Sequence, residues 1–206
     1  MDVLPLRERN KQKVTERIIV AAMELFKTQG YEQTTMDDIA NKAEISRGTL
    51  FNYFPSKDAL LLPWGEEILE KFVKPGLANY LATQPKTIDV LRFLFASMGE
   101  SVLAAPDVIS AFMGEALKPS NKPQAERART GMIEVFMQVL RYGQARGEVR
   151  SDIPLEEMAA YLNTLQTGLL FHLLEAGPLG DEDPSPAIAR MMMFIAGGLA
   201  VPAEPK

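Results

Sequence analysis

Cysteine is absent from the 206 residues of this chain, which excludes disulfides, thiolate zinc sites and cysteine nucleophiles. Histidine is nearly absent: the one copy, His172, cannot build a His-rich metal site. No glycine-rich phosphate loop, nucleophile elbow or Glu-x-x-His pair occurs either. No catalytic residue, metal or cofactor is therefore expected, and the chain is not expected to be an enzyme. No apolar run approaches the ~20 residues that span a bilayer, and the opening MDVLPLRERNKQK lacks the apolar core of a secretory signal. A soluble, cytoplasmic protein is the expectation.

Strict alternation of apolar and polar residues is missing as well, and helical spacing takes its place. Val14, Ile18, Ala21, Ala22, Leu25 and Phe26 fall on one stripe of a helix that ends near Gly30. Thr34 or Thr35 caps a second helix with Met36, Ile39, Ala40 and Ala43 inward. Ser46 caps a third with Leu50, Phe51 and Phe54 inward, stopped by Pro55. About six more helices are expected at roughly 57–80, 87–104, 106–118, 122–146, 154–176 and 186–199, with Gly177–Pro186 a solvated loop and Ala203–Lys206 a frayed tail. The fold class is all-α with about nine helices.

Residues 34–57, TTMDDIANKAEISRGTLFNYFPSK, carry the chemistry. A helix-turn-helix needs a small residue where its helices cross and apolar contacts behind it; Ala40 is the small residue, Ile39, Ile45 and Leu50 the contacts, and Ala43–Ile45 the turn. Ser46, Arg47, Gly48, Thr49, Asn52 and Tyr53 are then left facing outward. Arg can pair bidentately with guanine, while hydroxyls and an amide reach bases or phosphates. Thr35, at the start of the second helix, and Lys57, at the start of the fourth, suit backbone phosphates. The expected DNA-binding set is Thr34, Thr35, Ser46, Arg47, Gly48, Thr49, Asn52, Tyr53 and Lys57.

The formal net charge of −5 does not oppose this, because it is unevenly spread. Residues 1–57 carry nine Lys/Arg against eight Asp/Glu, and the remainder thirteen against nineteen. Arg7, Arg9, Lys11, Lys13 and Arg17 crowd the start. Phosphate attraction acts locally at physiological salt, so an acidic body tolerates a basic end.

From Ile18 to Leu61 the chain resembles the DNA-binding domain of the TetR/AcrR family of bacterial transcriptional regulators. Phe26, Gly30 and Tyr31 match the family's end to the first helix, Asp38-Ile39-Ala40 the core of its second, and Ser46-Arg47-Gly48-Thr49-Leu50-Phe51-Asn52-Tyr53-Phe54 its third. Three positions depart from the pattern: Glu44 stands where the turn usually has glycine, Phe51 where tyrosine is usual, and Asn52 where histidine or another polar residue is common. If Glu44 adopts positive φ it costs on the order of 1 kcal/mol relative to glycine.

The resemblance implies a DNA-binding domain at 1–56, a ligand-binding and dimerisation domain at 57–206, and a double-stranded operator, a second copy and a small-molecule effector as partners. A dimer would bind a near-palindromic operator and repress by occluding a promoter, on the nucleoid of a bacterial cytoplasm. The effector pocket is expected between the middle helices, with Trp64, Phe93, Met98, Phe112, Met113, Met132, Phe136 and Met137 as its lining and an apolar or aromatic ligand. The last two helices would form the dimer interface through Leu162, Leu165, Leu169, His172, Leu173, Ile188, Met191, Met192 and Ile195. Pro63 is expected to kink the helix leaving the DNA-binding domain and to serve as a hinge for ligand response. The alternative is a helix-turn-helix regulator controlled by a protein partner, or an activator; a ligand-lined cavity separates these from the leading reading.

Overall fold

Every regular element among the described residues is helical, as the spacing requires. The computed structural model describes residues 5–175 and 185–200. Its helices are α1 Leu6–Gln29, α2 Met36–Lys42, α3 Arg47–Tyr53, α4 Leu61–Ile68, α5 Lys74–Ala82, α6 Thr87–Ala104, α7 Pro106–Leu117, α8 Lys122–Ala145, α9 Leu155–Glu175 and α10 Ser185–Leu199. A π-helical turn, Leu69–Val73, joins α4 to α5, so nine separate rods result among the described residues. The loop expected at Gly177–Pro186 lies outside the described residues except where Ser185 and Pro186 open α10, and the tail expected at Ala203–Lys206 lies wholly outside them.

The chain divides into two compact units. One comprises Met1–Gly65 and Asp107–Ala125, the other Glu66–Pro106 and Glu126–Lys206. In the first, α2 packs on α1 and α3 on α2. Ile18, Ala22, Ile39, Ala43 and Leu50 are fully buried there, the apolar stripes of three successive helices closing on one another. This unit also takes in α7: the Phe112 ring lies against α4 where Gly65 has no side chain, and a Cβ there would stand 2.6 Å from it. Trp64 meets the same ring edge-on, with centroids 6.2 Å apart.

The turn between α2 and α3 follows from its hydrogen bonds. Ile45 N–H donates to Ala40 O at 3.0 Å and Glu44 N–H to Asn41 O at 3.1 Å, a Schellman closure that needs a left-handed residue between helix and exit. Glu44 supplies it at φ 53°. The end of α8 has the same closure, Glu148 N–H to Gly143 O at 2.9 Å and Gly147 N–H to Gln144 O at 3.1 Å, with Gly147 at φ 69° in the corresponding place. The chain thus uses glycine at one copy of the motif and strains a glutamate at the other. Glu44→Gly should stabilise the fold by roughly 0.5–1 kcal/mol, the relief of left-handed strain less the added freedom of the unfolded chain. A thermal melt should show a rise in Tm of about 1–4 °C; an unchanged or lower Tm would mean that Glu44 carries no net strain.

In the second unit α6 packs against α5, α9 and α10. Phe95 and Phe136 are fully buried, with centroids 5.9 Å apart. The run from α4 to α5 leaves α-geometry at Leu69–Val73, not at Pro63, which sits in the first turn of α4. The kink expected at Pro63 is corrected accordingly. First-turn N–H groups have no intrahelical acceptor, so proline there breaks no bond. Pro75 is the residue with the consequence: an α-helical carbonyl four residues earlier would collide with its ring. The preceding turn widens so that Lys74 N–H donates to Leu69 O, five residues back. Leu69 then lies over Gly131 of α8, where a Cβ would overlap it.

Candidate nucleic-acid interface

The second helix is fixed at its start by a reciprocal cap. Asp38 N–H donates to Thr35 Oγ1 at 3.2 Å, while the Asp38 carboxylate accepts from Thr35 N–H at 2.9 Å and its hydroxyl at 2.6 Å. Those hydrogen bonds from the Thr35 side chain and backbone hold the Asp38 carboxyl below the usual carboxylate range. At the start of α3, Ser46 Oγ accepts from Thr49 N–H at 3.0 Å and lies 2.8 Å from the Thr49 hydroxyl. The two caps orient both helix starts by local sequence alone.

Ser46, Arg47, Gly48 and Asn52 are exposed and Thr49 and Tyr53 half-buried, so α3 presents a continuous polar face. Arg47 does not hang free on it. Its Nη1 donates to Asp37 Oδ2 on α2 at 2.9 Å, and its guanidinium lies 5.4 Å from the Phe51 ring centroid. Phe51, expected inward, is 40% exposed. Only Leu50 of α3 is fully buried, and Phe51 stands one turn beyond Arg47 on the outer side. The i,i+4 spacing of Arg47 and Phe51 was the signal for that stack.

Gly48 is informative for what it does not touch. A Cβ there would come no nearer than 4.0 Å to its nearest protein neighbour, Ser46 Oγ. Intramolecular packing makes no demand for glycine at this position, and glycine is a poor helix former. Nothing within the chain accounts for it.

Two residues of the expected set are placed elsewhere. Thr34 is 2% exposed, with its hydroxyl donating to Gly30 O at 2.7 Å and accepting from Gln29 Nε2 at 3.3 Å. It closes the α1–α2 connection and presents nothing outward. Lys57 is not a free cation: its Nζ donates to Tyr31 O at 2.7 Å and Glu32 O at 3.2 Å and lies 4.4 Å above the Tyr31 ring. Tyr31 is itself buried and donates its hydroxyl to Asp58; burial first, then that carboxylate, pushes its phenol up. Lys57 thereby staples the α1–α2 connection to the residues after α3.

This surface has counterparts among known proteins. Residues 18–62 match the model of the bacterial regulatory proteins of the tetR family. The structure of Thermus thermophilus FadR, a TetR-family transcriptional repressor solved with lauroyl-CoA, is 30% identical over 93% of this chain and 98% of that one, with a TM-score of 0.71. The chain belongs to the TetR family. Two further relatives align over most of their length. The transcriptional repressor KstR2 of Mycolicibacterium smegmatis is 25% identical over 89% of each chain. The transcriptional regulator UidR of Escherichia coli K12 is 26% identical over 90% of this chain and 89% of its own. As a TetR-family member the chain is a ligand-responsive, DNA-binding transcriptional regulator.

The residues expected to line an effector pocket fall in both units of this TetR-family chain. Trp64, Phe112 and Met113 belong to the first, Met113 being buried. In the second, Phe136 is fully buried, Met98, Met132 and Met137 are half-buried, and Phe93 is 52% exposed with its ring tilted against Tyr80. Met137 also borders an open groove with Lys74, Glu134, Val135, Gln138 and Arg141. Among the described residues no His, Asp or Glu cluster could hold a metal, and no helix is long and apolar enough to cross a membrane.

The residues expected at a dimer interface divide by face. Leu162, Leu169, Leu173, Ile188, Met192 and Ile195 are buried within the single chain. Gly99 of α6 meets Ile188 and Leu173 directly, so these side chains cover the protein's own helix. Leu165 and Met191 are half-buried and His172 is exposed. Sequence reasoning missed the apolar residues that point away: Tyr161 is 57% exposed, Met193 75% and Phe194 72%. The apolar surface on α9 and α10 that a partner could cover is carried by these.

Proposed function

We propose that this protein is a homodimeric repressor that binds a near-palindromic operator and leaves it when a long-chain acyl thioester or a similar amphipathic carboxylic-acid derivative binds the second unit. The observation that carries it is the outward face of α3, where capped helix starts, Arg47 and an otherwise unexplained Gly48 meet. Two such faces, related by a two-fold axis, would enter successive major grooves about one turn of DNA apart. The exposed Tyr161, Met193 and Phe194 support pairing through α9 and α10.

Support for the effector class comes from the relative crystallised with lauroyl-CoA, at 30% identity. The groove between α5 and α8 offers chemistry of both kinds that such a ligand requires. Val135 and Met137 are apolar and Arg141 brings positive charge, while Lys74 stands there in ion pairs with Glu70 and with Glu134 of the same groove. A ligand that binds one spacing of the two recognition helices better than the other shifts the population by the ratio of those affinities.

The test is fluorescence anisotropy with a duplex carrying the palindrome upstream of the protein's own gene. The wild-type chain should bind it, and lauroyl-CoA should release it while coenzyme A alone does not. Retention of the complex across acyl chain lengths would sink the effector class, and failure to bind any duplex would sink the repressor reading itself.

A further inference from the structure

The first two turns of α1 are not needed by the protein core. Residues 5–13 are exposed throughout, and complete burial on this helix begins at Ile18. Those turns carry Arg7, Arg9, Lys11 and Lys13 with a single acid, Glu8. None of the four cations makes a hydrogen bond or ion pair among the described residues. Their sign is also wrong for a helix start, where the aligned peptide dipoles favour acids and repel bases. Helix stability therefore does not explain them.

Geometry separates the four. Arg7, Lys11 and Val14 lie on the side of α1 that shares a groove with Asn52, Tyr53 and Phe54 at the end of α3; Glu8 and Pro63 border it too. Arg9 and Lys13, two residues removed from Arg7 and Lys11, do not line the groove. The polar face of α3 is therefore continuous, across an open channel, with one pair of unpaired cations and not with the other.

We infer that Arg7 and Lys11 form a second DNA-contacting element, holding backbone phosphates of the same duplex that flank the base pairs under α3. The inference rests on the reading of α3 as the recognition helix. The occupant is fixed by charge complementarity and by continuity with that surface: a phosphodiester strand leaving Asn52 and Tyr53 along the channel meets two positive side chains one helical turn apart. Contacts of this kind set register and strengthen binding without reading sequence.

The experiment compares R7Q/K11Q with R9Q/K13Q in the full-length protein, two variants of identical net charge. Affinity for the operator duplex and for a scrambled duplex is measured by anisotropy across a potassium chloride series. Each phosphate contact contributes about 0.9 to the slope of log K against log salt. R7Q/K11Q should therefore flatten that slope by about 1.8 per protomer. It should weaken both duplexes by the same factor, tenfold or more at physiological salt, while R9Q/K13Q changes the slope by less than half as much. The charge-conserving R7K/K11R should retain the wild-type slope. Melting curves should coincide with wild type for all variants, since the residues are exposed. Equal effects of the two double variants, or an unchanged slope in R7Q/K11Q, would overturn the inference while leaving the α3 reading intact. A wild-type chain that binds neither duplex would overturn both.

Discussion

Arg47→Ala lowers affinity for the operator by roughly 5- to 150-fold per half-site, the factor for losing about 1–3 kcal/mol of a bidentate base contact. In a symmetric dimer the loss occurs twice. The structure gives reasons to expect the upper part of this range. The guanidinium is held between the Asp37 carboxylate at 2.9 Å and the Phe51 ring at 5.4 Å, so its orientation is set before DNA arrives. Less rotamer freedom then remains to be lost on binding. Arg47→Lys should not rescue, because an ammonium neither stacks on Phe51 as a plane nor forms two parallel hydrogen bonds to guanine. Stability should hardly change: the pair with Asp37 is exposed, and such pairs contribute at most about 1 kcal/mol. Anisotropy titrations on the operator duplex check the affinity and a thermal melt checks the fold. If Arg47→Ala and Tyr53→Phe both bound as tightly as wild type, the contact assignment on α3 would be refuted.

What the sequence made legible divides along the range of the interactions involved. Thr35 with Asp38, Ser46 with Thr49, and the left-handed residue at Glu44 were all readable because each depends on neighbours within a few positions. Thr34 and Lys57 were not. Lys57 fits that division, its ammonium being held by carbonyls 25 and 26 residues away; Thr34 does not, since its partners Gly30 and Gln29 are four and five residues back and its burial depends on how the α1–α2 connection closes. A polar side chain in a recognised motif is equally suited to DNA and to a backbone carbonyl; only the fold chooses between them.

The same limit applies to apolar stripes. Periodicity showed that α9 and α10 have apolar faces but not what covers them: Leu162, Leu169 and Ile195 pack inside the chain, while Met193 and Phe194 are left outside. Pro63 drew attention as a helix breaker, yet a first-turn proline is harmless, and the geometry changed ahead of Pro75 instead. Position within the helix, which sequence fixes only to within a few residues, decided the outcome.

Replacing Glu148 has the largest expected effect on stability. The carboxylate caps α6 from a distance: Oε2 accepts from both Thr87 N–H and the Thr87 hydroxyl at 2.7 Å, and Oε1 from Arg146 Nε at 2.9 Å. Thr87 is 3% exposed, so its donors have no access to water if the carboxylate is removed. Close approach of the two helix ends depends on Gly143, where a Cβ would lie 2.6 Å from the Thr87 hydroxyl oxygen and 2.5 Å from Val149. Hydrogen bonds from the Thr87 backbone and hydroxyl, then Arg146, lower the Glu148 carboxyl from an ordinary 4.5 to about 2. A depressed folded-state pKa means the unfolded chain takes up the proton first. The stabilisation is therefore complete above about pH 4.5 and is lost as pH falls towards 2. Its size is on the order of 2–3 kcal/mol, allowing for screening of a carboxylate whose side chain is 27% exposed. Glu148→Ala should thus lower Tm at neutral pH by about 5–10 °C, and Glu148→Gln by less, since an amide oxygen in the place of Oε2 still accepts the Thr87 bonds while the charge and the bond from Arg146 are lost. Urea denaturation at pH 7 and pH 3 separates this account from a general acid effect. The gap in stability between wild type and Glu148→Ala should narrow at the lower pH, because at pH 3 the unfolded wild-type chain is stabilised by protonating Glu148 while the folded one is still largely ionised, an effect the substituted chain lacks. A gap that stays constant would show that the charge on Glu148 contributes nothing and that only its shape matters.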